Sequence, residues 1–178
     1  MKVAIIGSGG REHAICKILN RSEKLEKIFC IPGNAGTSLI AENINLNLEN
    51  FDEIKNFVLN NKIELVVVGP EKPLVEGIVD YLERYGIKVF GPNKLASKLE
   101  GSKIFTKKIC QKFNIPTAKF GIFENEKDAL EFLKESNHPI VIKADNLASG
   151  KGVYICENIE ESKLAVIEIF NGKSLNNS

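Results

Sequence analysis

The chain opens on an unbroken apolar run, Val3-Ala4-Ile5-Ile6, which meets Gly7-Ser8-Gly9-Gly10 at once. Arg11, Glu12 and His13 then lead into Ala14, Ile15, Ile18 and Leu19, which recur at helical spacing. The order is strand, glycine turn, helix. A strand with no polar interruption is buried on both faces, as in a parallel sheet. The turn brings bare backbone N–H groups to a helix N-terminus, where the macrodipole favours an anion. The stretch therefore predicts a phosphate or carboxylate cradle. The alternative is a glycine turn that only packs helix against sheet.

A dinucleotide site is the first chemistry to weigh. Its fingerprint is G-x-G-x-x-G, with an acidic residue closing the second strand to hold the ribose. Gly7 and Gly9 fit, but Glu12 stands where the third glycine belongs. The second apolar strand, residues 28–31, runs into Pro32-Gly33 and carries no acidic hook. The loop offers Arg11 instead, a planar donor suited to phosphate. A dehydrogenase reading would need a degenerate fingerprint.

Composition narrows the classes further. The chain has 178 residues, 43% hydrophobic and 26% charged, with a formal net charge of +1. That is ordinary for a globular protein, and the length suits either one domain or one domain and part of another. No basic patch or known module points to nucleic acid, and no apolar run approaches a membrane span. Without a signal-like apolar core behind Lys2, the expectation is a cytoplasmic protein. Cys16, Cys30, Cys110 and Cys156 are scattered in apolar contexts and read as buried free thiols.

Through the first ninety-odd residues, strands and helices alternate, the pattern of a doubly wound, mainly parallel sheet. After the strand at 27–31 comes Pro32-Gly33-Asn34-Ala35-Gly36-Thr37, either a ligand loop at a strand end or a long turn. Ile44, Leu46 and Leu48 alternate with asparagines and predict a short, half-exposed strand. Asn50 is placed to cap a helix with Glu53 at the capping-box position and Ile54, Phe57 and Val58 inward. Residues 64–68 predict a buried strand ending in an abrupt loop, Gly69-Pro70-Glu71-Lys72-Pro73-Leu74. That loop holds Glu71 either beside the other strand-end loops or as a solvated turn carboxylate. A helix over 75–85 and a strand over 87–90 follow.

Residues 93–113 predict two helices parted at Gly101-Ser102-Lys103, with Leu95, Leu99, Ile104, Phe105 and Ile109 as their apolar set. Ile115-Pro116 is a boundary signal. A smaller unit then reads strand (119–123), helix (127–136), strand (140–143), glycine loop (148–152), strand (153–156) and helix (159–170). Lys143 ends an apolar strand shortly before Ser149-Gly150-Lys151-Gly152. A lysine stem on an apolar wall, with its head near a glycine loop, suits a phosphate. The blander roles are a snorkelling edge lysine for Lys143 and a solvated loop charge for Lys151. His13 is placed to touch a phosphate, and His138 sits in a turn before Pro139. No metal or nucleophile constellation stands out.

Five segments occur in a telling order: Gly7-Ser8-Gly9-Gly10-Arg11-Glu12-His13, the 32–37 loop, the 69–74 loop, Glu100-Gly101-Ser102-Lys103, and residues 143–153. Together they resemble the phosphoribosylamine–glycine ligases, ATP-grasp enzymes of purine synthesis. The resemblance covers residues 1–172. It departs at Asn146, usually glycine, at Ser149, often alanine, and in length, family members being more than twice as long. It implies an α/β fold: a mainly parallel doubly wound domain over 1–100, a helical linker over 101–118, a partial α+β ATP-grasp subdomain over 119–172 and a disordered tail over 173–178. By resemblance, ATP phosphorylates glycine, and 5-phosphoribosylamine attacks the glycyl phosphate to give glycinamide ribonucleotide. Gly9, Gly10, Arg11, Glu12, His13, Asn34, Ala35, Gly36, Thr37, Pro70 and Glu71 would bind the phosphoribosyl substrate. Lys103, Lys143, Ser149, Gly150, Lys151 and Gly152 would serve ATP. Catalytic residues stay unassigned. Magnesium is implied, with its ligands and the glycine pocket in the part of family enzymes that follows, and no metal ligand is expected here. The 178 residues alone are expected not to catalyse the ligation and to bind ATP weakly or not at all, the phosphoribosyl site alone being left able to bind. The alternative is a non-catalytic nucleotide- or sugar-phosphate-binding module.

Overall fold

The computed structural model describes residues 1–145 and 152–172. The chain divides into two compact units, Met1–Lys98 and Leu99–Ser178.

The first unit is built on β1 (Lys2–Gly7), whose Val3, Ala4, Ile5 and Ile6 are all at most 1% exposed. Such burial needs a neighbour on each edge and a layer on each face. The edges are β2 (Lys27–Pro32) and β4 (Leu65–Val68), both parallel to β1. Beyond them lie β3 (Glu42–Asn43) and β5 (Val89–Phe90), giving the order β3-β2-β1-β4-β5 with every pair parallel. Side chains alternate between two cores. Ala4 and Ile6 join Phe29, Ile31, Val66 and Val68 beneath Ile54 and Val58 of α2 (Phe51–Asn60) and Ile78 and Leu82 of α4 (Ile78–Glu83). Val3 and Ile5 join Ile28, Cys30 and Val67 against Cys16 of α1 (Gly10–Leu19). Helices on both faces of a parallel sheet make this unit doubly wound, as expected. Strand order reverses at β1 and β4, where open α/β sheets leave a crevice beyond the strand ends.

Local chemistry corrects several expectations. The strand over Ile44, Leu46 and Leu48 is absent. Ladder pairing stops after the Ile44 N–H bonds to Cys30 O, and a tight turn takes the Leu46 N–H to Ile44 O. The three side chains still pack on the first core, so their alternation marked burial without pairing. The 69–74 loop is largely helix, because α3 (Glu71–Glu76) starts at Glu71 and carries Pro73 in its first turn. An N–H is unpaired there anyway, so proline is tolerated. The helix over 75–85 is two helices, α3 and α4, parted by Gly77 at φ +100. The strand over 87–90 keeps only its last two residues. Asn50 caps α2 as expected, its side chain accepting the Glu53 N–H at 3.2 Å.

In the second unit, α5 (Lys94–Gly101, begun in the first unit) gives way at Ser102 to α6 (Lys103–Lys112). The apolar set expected there is not core. Leu95 and Leu99 are 64% and 51% exposed, and no residue of α6 is buried. Helical spacing identifies an apolar stripe without saying what covers it. Residues 119–123 form no strand; Phe123 is held instead by packing on Phe132, with ring centroids 5.0 Å apart. Helix α7 (Glu126–Leu133) is shorter than expected, while α8 (Ile159–Phe170) has its expected bounds. Between them β6 (Ile140–Lys143) and β7 (Val153–Cys156) form a two-stranded antiparallel sheet. Ile140 and Ile142 pack on Ala129, Leu133 and Val166 of α7 and α8. No described helix is long and apolar enough to cross a membrane.

Candidate functional site

Three loops leave the carboxyl ends of adjacent strands β2, β1 and β4, and side chains from each tie them together. The β1 loop turns into α1 at Gly9, whose N–H donates to Glu12 Oε2 at 2.6 Å. Glu12 is only 4% exposed. Its side chain lies beneath the loop in a cage of glycines. A Cβ on Gly7 would stand 2.7 Å from Glu12 Cγ and Cδ, and one on Gly69 would stand 1.9 Å from Oε1. Where a dinucleotide fold has its third glycine, this loop has a filled floor. Above it, a Cβ on Gly10 would meet nothing within 4 Å.

Arg11 reaches from α1 to the β4 loop. Its Nη1 donates to Gly69 O, and its Nη2 donates to Glu71 Oε1 at 2.9 Å. The guanidinium, with a backbone bond at Glu71 itself, holds the Glu71 carboxyl below its ordinary value of 4.5. Pro70 is the N-cap of α3, which fixes Glu71 in the first turn. Lys72 turns away, onto Glu49.

Asn34 joins the β2 loop to the β1 loop. Its Nδ2 donates to Ser8 O at 2.8 Å and Gly9 O at 3.2 Å, and its Oδ1 accepts the Gly36 and Thr37 N–H groups at 2.7 and 2.9 Å. Thr37 is fully buried, and its hydroxyl donates to Asn43 Oδ1 at 2.8 Å. Asn43 Nδ2 donates to Asn34 O at 2.8 Å. His13 lies on Gly36, where a Cβ would stand 2.7 Å from its Cε1 and Nδ1. Ala35 follows between the two bonded residues. Thus Gly9 to His13, Asn34 to Thr37, Pro70 and Glu71 come together at one sheet edge. Asn43 and Gly69 escaped the sequence reading. Asn43 was hidden among alternating asparagines, and Gly69 acts through its carbonyl, which no residue type reports.

The thiols near this edge are inert. Cys16 and Cys30 are buried and free, and burial pushes the Cys16 thiol up to about 12. Cys156 is also buried; Cys110 is half-buried, short of the expectation.

In the second unit, Lys143 ends β6 opposite Val153. It shares the exposed face with Val141, Val153 and Ile155, an apolar wall for its stem. Asp145 binds the start of α6: its Oδ2 accepts from Ser102 Oγ at 2.9 Å and its Oδ1 from the Ile104 N–H at 3.0 Å. Lys103, the first residue of α6, is thereby brought beside the end of β6. Gly152 re-enters the sheet at φ +70, its carbonyl accepting the Ala144 N–H at 2.9 Å. Ser149, Gly150 and Lys151 lie outside the described residues. Among the described residues no group of three or more His, Cys, Asp or Glu is placed to hold a metal ion.

Comparison with known proteins decides the lineage. Residues 1–100 match the family described as phosphoribosylglycinamide synthetase, N domain, and residues 101–178 match its ATP-grasp (A) domain. The chain belongs to the phosphoribosylamine–glycine ligase family. A ligase of that name from Caldanaerobacter subterraneus is 53% identical over 92% of this chain, which spans 39% of that relative. The crystal structure of the Thermotoga maritima ligase superposes with a TM-score of 0.80 at 34% identity, over 99% of this chain and 41% of its own. The biotin carboxylase domain of Hydrogenobacter thermophilus 2-oxoglutarate carboxylase, solved with MgADP and bicarbonate, superposes with a TM-score of 0.70 at 25% identity, over 96% of this chain and 40% of its own. The chain thus spans about two fifths of the ligases it matches.

Proposed function

We propose that this chain is the amino-terminal part of a ligase that joins 5-phosphoribosylamine to glycine at the expense of ATP. In that reaction the glycine carboxylate attacks the γ-phosphoryl group and ADP leaves. The amine of phosphoribosylamine then attacks the acyl carbon, phosphate leaves, and glycinamide ribonucleotide forms. The observation that carries the reading is the cross-tied edge at β2, β1 and β4 in a chain of this family. Gly9, Gly10, Arg11, His13, Asn34, Ala35, Gly36, Thr37, Pro70 and Glu71 receive the phosphoribosyl group, with Arg11 on the phosphate and Glu71 on hydroxyl or amine. The floor under them is Glu12.

Lys103 and Lys143 serve the ATP phosphates, with Ser149, Gly150, Lys151 and Gly152 as the flap. The carboxylase relative is solved with MgADP, which supports nucleotide use by this fold. Magnesium, present in that relative, would offset phosphate charge, but the described residues do not fit it. Asp145 is committed to Ser102 and Ile104. Its ligands are assigned to the stretches that longer relatives carry beyond the match. The domain reading stands as part of this proposal: sugar-phosphate binding by 1–100, a helical linker over 101–118 and an ATP-grasp portion over 119–172. Taken alone, the 178 residues hold the sugar phosphate, bind ATP weakly or not at all, and do not turn over.

The test is calorimetry with ribose 5-phosphate, a stable stand-in for phosphoribosylamine. Binding is expected, and Arg11→Ala should weaken it by ~1.5–3 kcal/mol, the worth of a charge-assisted contact. Unchanged affinity refutes Arg11 as the anchor.

A further inference from the structure

Arg11 and Glu12 are neighbours on α1 that both meet one glycine, Gly69. Arg11 Nη1 donates to the carbonyl of Gly69. The Glu12 carboxylate backs the same residue so closely that a Cβ there would overlap Oε1 at 1.9 Å. Glu12 is 4% exposed and held by the Gly9 N–H at 2.6 Å. It therefore fills the space between the end of β1 and the end of β4 as a spacer. Its far wall is the peptide on which the guanidinium rests, and Glu71, the other partner of Arg11, follows two residues on.

We propose that Glu12 is a positioning residue for the sugar-phosphate ligand, acting through Arg11. This rests on the assignment of the strand-end loops to the phosphoribosyl group. Glu12 makes no contact with the ligand. It backs the Gly69 peptide, whose N–H the ladder ties to Ile6 O at 3.1 Å, so that the Gly69 carbonyl and the Glu71 carboxylate hold the guanidinium in one orientation. The spacer works by length and shape. Glutamine at this position can still accept the Gly9 N–H and fill the cage.

The experiment is calorimetric titration of the 178-residue chain with ribose 5-phosphate, each variant first checked for a native circular dichroism spectrum and melt. Arg11→Ala and Glu12→Ala should each lose about tenfold or more in affinity, as expected for a charge-assisted contact and for its support. The double variant should bind within about twofold of Arg11→Ala, since a residue acting through Arg11 has nothing left to lose once Arg11 is gone. Glu12→Gln should stay within about threefold of the unmutated chain, because it keeps the acceptor and the volume. If Glu12→Ala does not fold, Glu12→Asp takes its place. One methylene shorter, it cannot span from the Gly9 N–H to Gly69, and the same loss and non-additivity are expected. Unmutated affinity in Glu12→Ala or Glu12→Asp, or losses that multiply in the double variant, overturns the positioning role and leaves the Arg11 site standing. No binding by the unmutated chain, or none lost on Arg11→Ala, overturns the site assignment and the positioning role with it.

Discussion

At the scale of single residues, the Arg11–Glu71 pair is where charge is managed at the proposed substrate edge. The Glu71 carboxyl is depressed below 4.5, first by the Arg11 hydrogen bond. A depressed carboxyl contributes its stabilisation above its ordinary value and loses it as pH falls through the lowered one. The bridge between the β1 and β4 loops should therefore be intact at pH 5 and above and open in stronger acid. Both side chains are largely solvent-washed, 59% and 41% exposed, so its contribution is at most about 1 kcal/mol. A carbon-13 titration of Glu71 Cδ should show a midpoint below 4.5 that returns toward it in Arg11→Ala. A midpoint that ignores the substitution contradicts the pairing. Part of this edge stood out by residue type: Arg11 and Glu71 are conspicuous because glycine and proline loops at strand ends carry few side chains, whereas Asn34 to Thr37 came in only with the family resemblance. What escaped was work done by backbone. Gly69 acts as a carbonyl and Asn43 as a strut beneath the loop, and neither role leaves a pattern in the sequence.

At the scale of elements, caps were more reliable signals than alternation. Asn50 announced α2 and Asn158 caps α8, its side chain accepting the Glu161 N–H at 3.0 Å. A cap is a local contract between a side chain and one N–H, so sequence alone can reveal it. Asn50→Ala should cost about 1 kcal/mol, while Asn50→Ser should cost far less. Urea unfolding followed at the far-ultraviolet signal measures both. An equal loss for alanine and serine would mean that the hydrogen bond to Glu53 contributes little. Strands were harder. Residues 44–48 and 119–123 have apolar side chains that pack, but a strand also needs a partner in register, and that partner lies far along the chain. Pro73 misled in the opposite sense, reading as a helix breaker although it occupies a first turn where it breaks nothing.

At the scale of the whole molecule, the two units differ in how deeply their sheets are enclosed. β1 is flanked by strands on both edges and covered on both faces. The β6–β7 sheet is covered on one face, and Val141 and Ile155 on the other are 52% and 71% exposed. Hydrogen exchange opens the least enclosed structure first. Amides of β1 and β4 should therefore exchange by global unfolding, and those of β6 and β7 at least about a hundredfold faster, at a cost lower by about 3 kcal/mol. Native-state exchange read by NMR or mass spectrometry checks this. Equal protection would mean that the small sheet is secured by more than its α7 and α8 contacts.

The glycine cage has a consequence for how such chains drift. Positions 12 and 69 are far apart in sequence, yet they divide one fixed volume between them. A lineage that gains any side chain at 69 must first shorten the one at 12. A lineage that keeps the glutamate favours glycine at 69, because any Cβ there displaces the carboxylate that stands 1.9 Å away. Each position is thus neutral ground only while the other changes in step, and the order of the two changes matters. Shortening position 12 first opens a cavity that a later side chain at 69 can refill. Enlarging 69 first drives an atom into a carboxylate with nowhere to go.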